Sequence, residues 1–274
     1  MIDSEKIFPN SLKMAMCNFI EDINSLKKFA IENGFHGIDW SFNVDELPNS
    51  PAEESRWVET INILDPLEVR FHCPFIRVDL GHNDFDKVKT AVNLFKQIIR
   101  LVSKANGKYL SFHVGLGHDT TRILSWDKTI DNLRQMVQSG AELGIKVCLE
   151  NLAWGWTSKP QLFEKLIRKT GAGITFDLGH AHACMAVDSQ QFSAGDFVTP
   201  HSNRVYNAHV YHTEISGIGH LPPENLHDIQ DRLDLLVETR CNWWVIEIRE
   251  IQGLLQTRKI IDQYLEQVSR QQQV

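Results

Sequence analysis

Short apolar runs alternate with longer amphipathic segments along the whole chain, so the hydrophobic pattern switches repeatedly between a strand-like and a helix-like period. Strands are expected over Leu12–Phe19, Phe35–Trp40, Leu67–His72, Lys108–Val114, Lys146–Asn151, the Ile174 run that ends at Asp177, Val205–His212 and Trp243–Ile248. Helices are expected over Ile20–Asn33, Pro51–Ile63, Phe85–Ala105, Trp126–Leu143, Pro160–Thr170, Pro223–Thr239 and Leu254–Val268, with a turn and helix opening directly after Asp177. The punctuation agrees with these periods. Gly34, Gly107, Gly144 and Gly171 follow helical segments as C-terminal stops, and Pro51 stands in a first helical turn.

Strand-like runs separated by helical segments of this length imply parallel strands joined by crossover helices. Eight such units in 274 residues predict an α/β fold, a closed (β/α)8 TIM barrel forming a single domain over residues 1–274. An open doubly wound sheet would carry a Gly-rich phosphate loop after its first strand. Met16-Cys17-Asn18-Phe19 contains no glycine at that point. No internal repeat or interdomain linker interrupts the pattern, and the Gln-rich tail from Gln267 reads as a frayed end.

Composition narrows the class. Hydrophobic residues make up 42% of the chain, enough for a sizeable core, and the net charge of −7 argues against a protein built to wrap nucleic acid. No window approaches the roughly 18 apolar residues of a membrane span, and no signal-peptide core follows Met1. The 5 cysteines are odd in number and scattered, without a CxxC pair. A soluble protein of a reducing, cytoplasmic compartment is expected. The 12 histidines are many for this length and direct attention to themselves.

The chemistry concentrates at the C-terminal ends of the expected strands, which converge on one mouth in a barrel. Val69-Arg70-Phe71-His72, Leu110-Ser111-Phe112-His113, Val147-Cys148-Leu149-Glu150, Ile174-Thr175-Phe176-Asp177 and Trp244-Val245-Ile246-Glu247 each end an apolar run on a histidine or a carboxylate, and His180 and His209 join them. One histidine at a strand end is commonly structural, and one Asp or Glu there can cap the next helix. The recurrence is the signal. Three carboxylates and several imidazoles in one mouth suit a divalent metal with open positions; without one the carboxylates would repel one another. Trp154 and Trp156 follow Glu150-Asn151 and are candidates for a pocket wall.

Glu150-Asn151, Phe176-Asp177-Leu178-Gly179-His180-Ala181, and His209 followed eleven residues later by His220-Leu221-Pro222-Pro223 together resemble the xylose isomerase-like barrel superfamily. That superfamily holds sugar and sugar-phosphate isomerases and epimerases together with endonuclease IV. For the epimerase branch the resemblance implies one divalent ion (Mn, Co, Mg or Zn) held by Glu150, Asp177, His209 and Glu247. It implies substrate contacts from His72, His113, His180, His220, Arg249 and Trp154. Glu150 and Glu247, on opposite sides of a bound sugar, would be the catalytic base and acid, and the ion would stabilise the enediolate between them. The substrate would be a small carbohydrate or other hydroxy-carbonyl compound, with no nucleic-acid or membrane partner and with a homo-oligomer compatible. Arg77 and Arg249 are the candidates for contacting a phosphate.

For the endonuclease IV branch the resemblance implies three zinc ions and cleavage of phosphodiesters at abasic sites, with His72, His113, His180 and His220 as additional metal ligands. The Asp usual two residues before the last of these is replaced by Ile218, in the apolar stretch Ile215-Ser216-Gly217-Ile218-Gly219. Strand seven departs from the isomerase pattern His-x-His-Asp, reading His209-Val210-Tyr211-His212. His212 therefore rivals His209 as ligand, the spacing to His220 favours His209, and Tyr211 with His212 points to an unusual substrate pocket. A metal-dependent sugar or sugar-phosphate isomerase or epimerase is the expected function. A zinc-dependent phosphodiesterase is second, and a non-catalytic metabolite-binding barrel third.

Overall fold

Polar residues at every second position of the strands decide what fills the centre of this molecule. A computed structural model describes residues 11–74, 79–115 and 122–271. Among these, parallel strands β1 (Lys13–Cys17), β2 (Gly37–Ser41), β3 (Glu68–His72), β4 (Tyr109–Phe112), β5 (Lys146–Glu150), β6 (Gly173–Asp177) and β7 (Val205–Val210) close into a barrel with a later strand, Trp243–Ile246. Between β7 and that strand lies a two-stranded antiparallel hairpin, β8 (Thr213–Ile215) and β9 (Gly219–Leu221), so the closing strand is β10. It pairs with both β1 and β7, leaving the barrel no open edge.

The connecting helices are α1 (Ile23–Glu32), α2 (Pro51–Ile63), α3 (Phe85–Lys104), α4 (Trp126–Glu142), α5 (Pro160–Thr170), α6 (Leu178–Ala183), α7 (Met185–Asp188), α8 (Gln230–Val237) and α9 (Ile251–Gln271). Their starts are chemically marked: Asp22, Ser50, Asp84 and Ser125 each accept a backbone N–H of the first turn. Gly171 ends α5 in the left-handed region at φ 76°, where a Cβ is penalised.

Three helix starts and one loop differ from the sequence pattern, the last helix beginning at Ile251 rather than Leu254. The helix expected from Pro223 begins only at Gln230. Asn225 and Asp228 form a reciprocal cap over Leu226–Asp228, and Asp228 also accepts from the Glu224 N–H; these local side-chain bonds compete with helix formation. The first helix starts at Ile23 rather than Ile20 because Asp22 caps it. The β8–β9 hairpin has no counterpart in the sequence pattern, since strands of three residues leave no readable period.

Outward-facing strand residues such as Ile38, Phe71, Leu110, Phe112, Leu149 and Phe176 pack under the helices in the main apolar core. The interior is different. Its apolar part is small, namely Ala15, Cys17, Trp243 and Val245. The rest is polar: Ser111 reaches Thr175 at 2.7 Å, and Arg70 donates to Asn207 at 2.7 Å. One residue pair further along the same strands brings the next inward-facing positions to the mouth.

Candidate metal centre at the barrel mouth

The same alternation that aims Arg70 inward aims His72 into the mouth, two residues along β3. Ser111 and His113, Cys148 and Glu150, Thr175 and Asp177, and Asn207 and His209 stand in the same relation. The side chains meet across the barrel: the rings of His72 and His209, from β3 and β7, are 5.4 Å apart. Glu150, Asp177, His209 and Glu247 are all buried, with Asp177 and His209 at 0% exposure.

Asn151 fixes the junction between β5 and β6. Its Nδ2 donates to the Asp177 carbonyl at 2.8 Å, and its Oδ1 accepts the Asp177 N–H at 2.9 Å. Asp177 then divides its carboxylate between two tasks. Oδ1 caps α6 by accepting the His180 N–H at 2.6 Å, while Oδ2 is buried without a hydrogen bond and faces the mouth.

His209 Nδ1 is the focus of the carboxylates, at 2.9 Å from Glu247 Oε2, 3.4 Å from Glu150 Oε1 and 3.5 Å from Asp177 Oδ2. The other oxygen of Glu150, Oε2, meets His72 Nε2 at 2.8 Å and His113 Nε2 at 3.2 Å. His180 stands beside both acids, its Nδ1 3.3 Å from Asp177 Oδ2 and 3.5 Å from Glu150 Oε1. The hairpin adds Glu214, whose Oε2 is 3.1 Å from His180 Nε2, and His220.

Burial opposes charge on every one of these groups, and the neighbours decide the outcome. Burial would raise Glu150, but His209, His113 and His72 hold its carboxyl well below the ordinary range. Burial would lower His209, but Glu150 and Glu247 hold its imidazole well above the usual value. His180 is likewise raised, against its burial, by Asp177 and Glu150. For His113 burial wins and the imidazole is depressed. The mouth is therefore a place where buried acids demand positive charge.

The donors stand close enough together that they could hold a divalent cation. Three groups each offer ligand atoms within 4.8 Å of one another: Glu150, Asp177, His209 and Glu247; His72, His113 and Glu150; and His180, Glu214 and His220. An ion roughly 2.1 Å from each donor separates adjacent donors by about 3–4 Å. Asp177 Oδ2, both His209 ring nitrogens, Glu247 Oε2 and Glu214 Oε2 are buried with no hydrogen bond, an arrangement that a shared cation relieves.

A family model for the xylose isomerase-like TIM barrel matches residues 28–267. The chain belongs to this family. The uncharacterized protein MJ0008 of Methanocaldococcus jannaschii is 31% identical over 198 residues, 72% of this chain and 80% of that protein. Among solved structures, L-ribulose 3-epimerase is similar with a TM-score of 0.72 at 13% identity, covering 96% of this chain and 97% of that one. Endonuclease IV from Thermus thermophilus is similar with a TM-score of 0.65 at 14% identity, covering 93% and 99%. Both of these likenesses are likenesses of fold.

Within this xylose isomerase-like barrel, the strand-end residues picked out by the sequence pattern, His72, His113, Glu150, Asp177, His180, His209 and Glu247, do come together. His220 joins them from β9. Trp154 lines the cavity and meets His180 edge-on with centroids 5.8 Å apart, and Arg249 lines the rim. Other expectations need correction. Trp156 is buried against Trp126 and does not line the cavity. Tyr211 and His212 do not line it either: Tyr211 is fully buried behind the histidines, and His212 sits beside His182, with ring centroids 5.0 Å apart. His209, not His212, faces the three carboxylates. Arg77 lies outside the described residues. Glu214 is the site residue that the sequence pattern does not find, because its loop carries no recognisable strand period. Among the described residues no helix is long and apolar enough to cross a membrane.

Proposed function

We propose that the chain is a divalent-metal-dependent isomerase or epimerase acting on a sugar, sugar phosphate or similar small hydroxy-carbonyl compound. The observation that carries this reading is the placement of two buried carboxylates, Glu150 and Glu247, at 3.4 and 2.9 Å from His209 Nδ1 and both lining one cavity of about 1250 Å³. Such a cavity suits a substrate of sugar size.

Glu150, Asp177, His209 and Glu247 would hold the ion. The bound ion supplies electrostatic stabilisation for a carbonyl oxygen as the adjacent C–H loses its proton. One of the two glutamates accepts that proton as the C–H electron pair moves toward the carbonyl, and the other returns a proton to carbon from the opposite face, inverting the centre. Asn151 holds the strand junction that carries Glu150 and Asp177. Trp154 offers an apolar wall for a sugar face, and Arg249 a donor at the rim.

The rim supports a small substrate over a polyanion. Glu21, Glu46 and Glu250 line the outer cavity, with Arg249 as the one Lys or Arg among the described lining residues. Nucleic-acid recognition ordinarily draws on clustered cations.

A second reading, metal-dependent phosphoester cleavage, is favoured by one feature: Glu150 belongs to two of the three donor groups, an arrangement that suits adjacent ions flanking a phosphate. The deciding experiment incubates metal-loaded protein with a panel of ketoses and ketose phosphates in deuterated water. The proposal expects an epimer or isomer carrying solvent deuterium at the exchanged carbon. No turnover across the panel, with cleavage of an abasic-site duplex, would move the assignment to the second reading.

A further inference from the structure

The cavity at the mouth has two parts of opposite chemistry. One is the ring of acids and imidazoles. The other is built by the segments that follow β1 and β2, and its wall is apolar: Ile20, Ile23, Trp40 and Val44 line it, and Ile218 lines the same cavity from the hairpin turn. Val44 and Ile218 are 41% and 71% exposed. Large apolar side chains left in contact with water inside a cavity mark a surface made to be covered. The wall is also preorganised, since Phe42, which lines it, stacks on Trp57 with centroids 5.4 Å apart and on Phe71 at 5.9 Å.

The polar side chains on this wall are turned to the protein's own atoms. Asn18 does for β1 and β2 what Asn151 does for β5 and β6: its Nδ2 donates to the Ser41 carbonyl at 3.2 Å and its Oδ1 accepts the Ser41 N–H at 2.9 Å. Asn43 Nδ2 donates to Glu46 Oε1 at 2.9 Å, and its Oδ1 accepts the Asp45 N–H at 3.2 Å. The Thr60 hydroxyl donates to the Arg56 carbonyl at 3.0 Å. A wall that reads sugar hydroxyls keeps such groups directed at the ligand; here they are engaged elsewhere. The charged lining residues that these segments supply are Glu21 and Glu46, and their carboxylates repel a phosphate.

We propose that this part of the cavity is a second subsite, which takes an uncharged apolar group carried by the substrate at the end away from its carbonyl. Trp40 and Val44 are its specificity-determining residues. The substrate class is then an aryl or alkyl conjugate of a small sugar, rather than a free or phosphorylated monosaccharide. Size agrees: pockets for drug-sized ligands run to roughly 300–1,000 Å³, so a cavity of about 1250 Å³ has room for more than one sugar unit. The inference rests on the isomerase or epimerase reading of the mouth.

The test titrates the full chain, reloaded with manganese chloride, with 6-O-benzyl and 6-O-methyl ethers of the D-ketohexoses and with the matching 6-phosphates and 6-amino-6-deoxy sugars, by calorimetry. For at least one sugar the benzyl ether is expected to bind roughly tenfold tighter than the methyl ether, as burial of an apolar ring gives, and the phosphate weakest. Val44→Asp should remove most of that preference and leave the methyl ether unchanged. Equal benzyl and methyl affinities, tightest binding by a phosphate or an amine, no binding by any benzyl ether, or a preference kept in full by Val44→Asp would each overturn the proposal. If Val44→Asp does not fold by circular dichroism, nuclear Overhauser contacts between benzyl protons and the Trp40 indole in wild type decide, and their absence would overturn it. The same ethers, incubated in deuterated water, separate the two claims. Deuterium uptake with equal affinities would remove the subsite alone. No uptake by any ether, with the benzyl preference intact, would remove the isomerase reading and leave an apolar binding site.

Discussion

Two successive layers of the barrel interior are equally buried and behave in opposite ways. In the lower layer, the Arg70 guanidinium bonds Glu68 at 2.9 Å, the Tyr206 carbonyl at 2.7 Å and Asn207 at 2.7 Å, and stacks between Tyr109 and Trp243. Asn207 extends the network to Thr175 at 3.2 Å. A buried cation there has found its anion and its acceptors. In the upper layer, carboxylates from β5, β6 and the end of β10 face one another and share a few imidazoles, leaving Asp177 Oδ2, Glu247 Oε2 and His209 without hydrogen bonds. Burial of charge alone does not mark a functional site. Burial of like charges whose remaining lone pairs converge on one point does.

That contrast can be broken from either side. The largest effect is expected in the upper layer: Glu150→Gln and Glu247→Gln each remove a proposed proton-transfer group, and kcat should fall by about 10²–10⁴-fold while the circular dichroism spectrum is kept. Near wild-type turnover by either variant, on an identified substrate, would end the two-carboxylate mechanism. In the lower layer, Arg70→Met should cost roughly 3 kcal/mol or more of stability, read by denaturant unfolding, with bound metal unchanged.

A smaller effect follows from Glu68, whose carboxyl Lys13 and Arg70 hold below its ordinary value although burial works the other way. A depressed folded pKa gives stability that is present above the unfolded value, about 4.3, and is lost as pH falls through the folded one. Melting temperature should therefore drop more steeply below about pH 4 in wild type than in Glu68→Gln; parallel curves would deny the ion pairs any role. The smallest effect concerns the thiols. All five cysteines are free and buried, and burial pushes Cys148 up to about 12 and Cys241 to about 11. Intact protein should stay unalkylated by iodoacetamide near pH 8, an ordinary thiol pKa being about 8.5, and rapid modification by mass spectrometry would contradict the packing.

The barrel and most of the mouth are legible in the sequence because a strand end fixes direction. An apolar run ending in His72, Glu150 or Asp177 places that side chain at the mouth whatever the loops do. Sequence prefers His209 over His212 only by spacing, and the structure separates them because the inward-facing position falls on residue 209. What is not legible depends on contacts between short segments. Glu214 reaches the site through the register of two three-residue strands, which no periodicity announces. Tyr211 reads as a pocket residue from its position in the motif, whereas Gly179 opens a seat for it behind the histidines. The delayed start of α8 comes from the Asn225 and Asp228 side chains competing for backbone N–H groups, a choice that composition does not reveal.

The most direct test of the central claim, that the mouth is a divalent-metal centre organised on Asp177 and His209, is metal content by elemental mass spectrometry on wild type and Asp177→Ala, both purified without chelator and reloaded in parallel. The account predicts at least one tightly held divalent ion per wild-type chain and loss of an equivalent in the variant. An ion-free wild type after reloading, or full occupancy in Asp177→Ala, would contradict it.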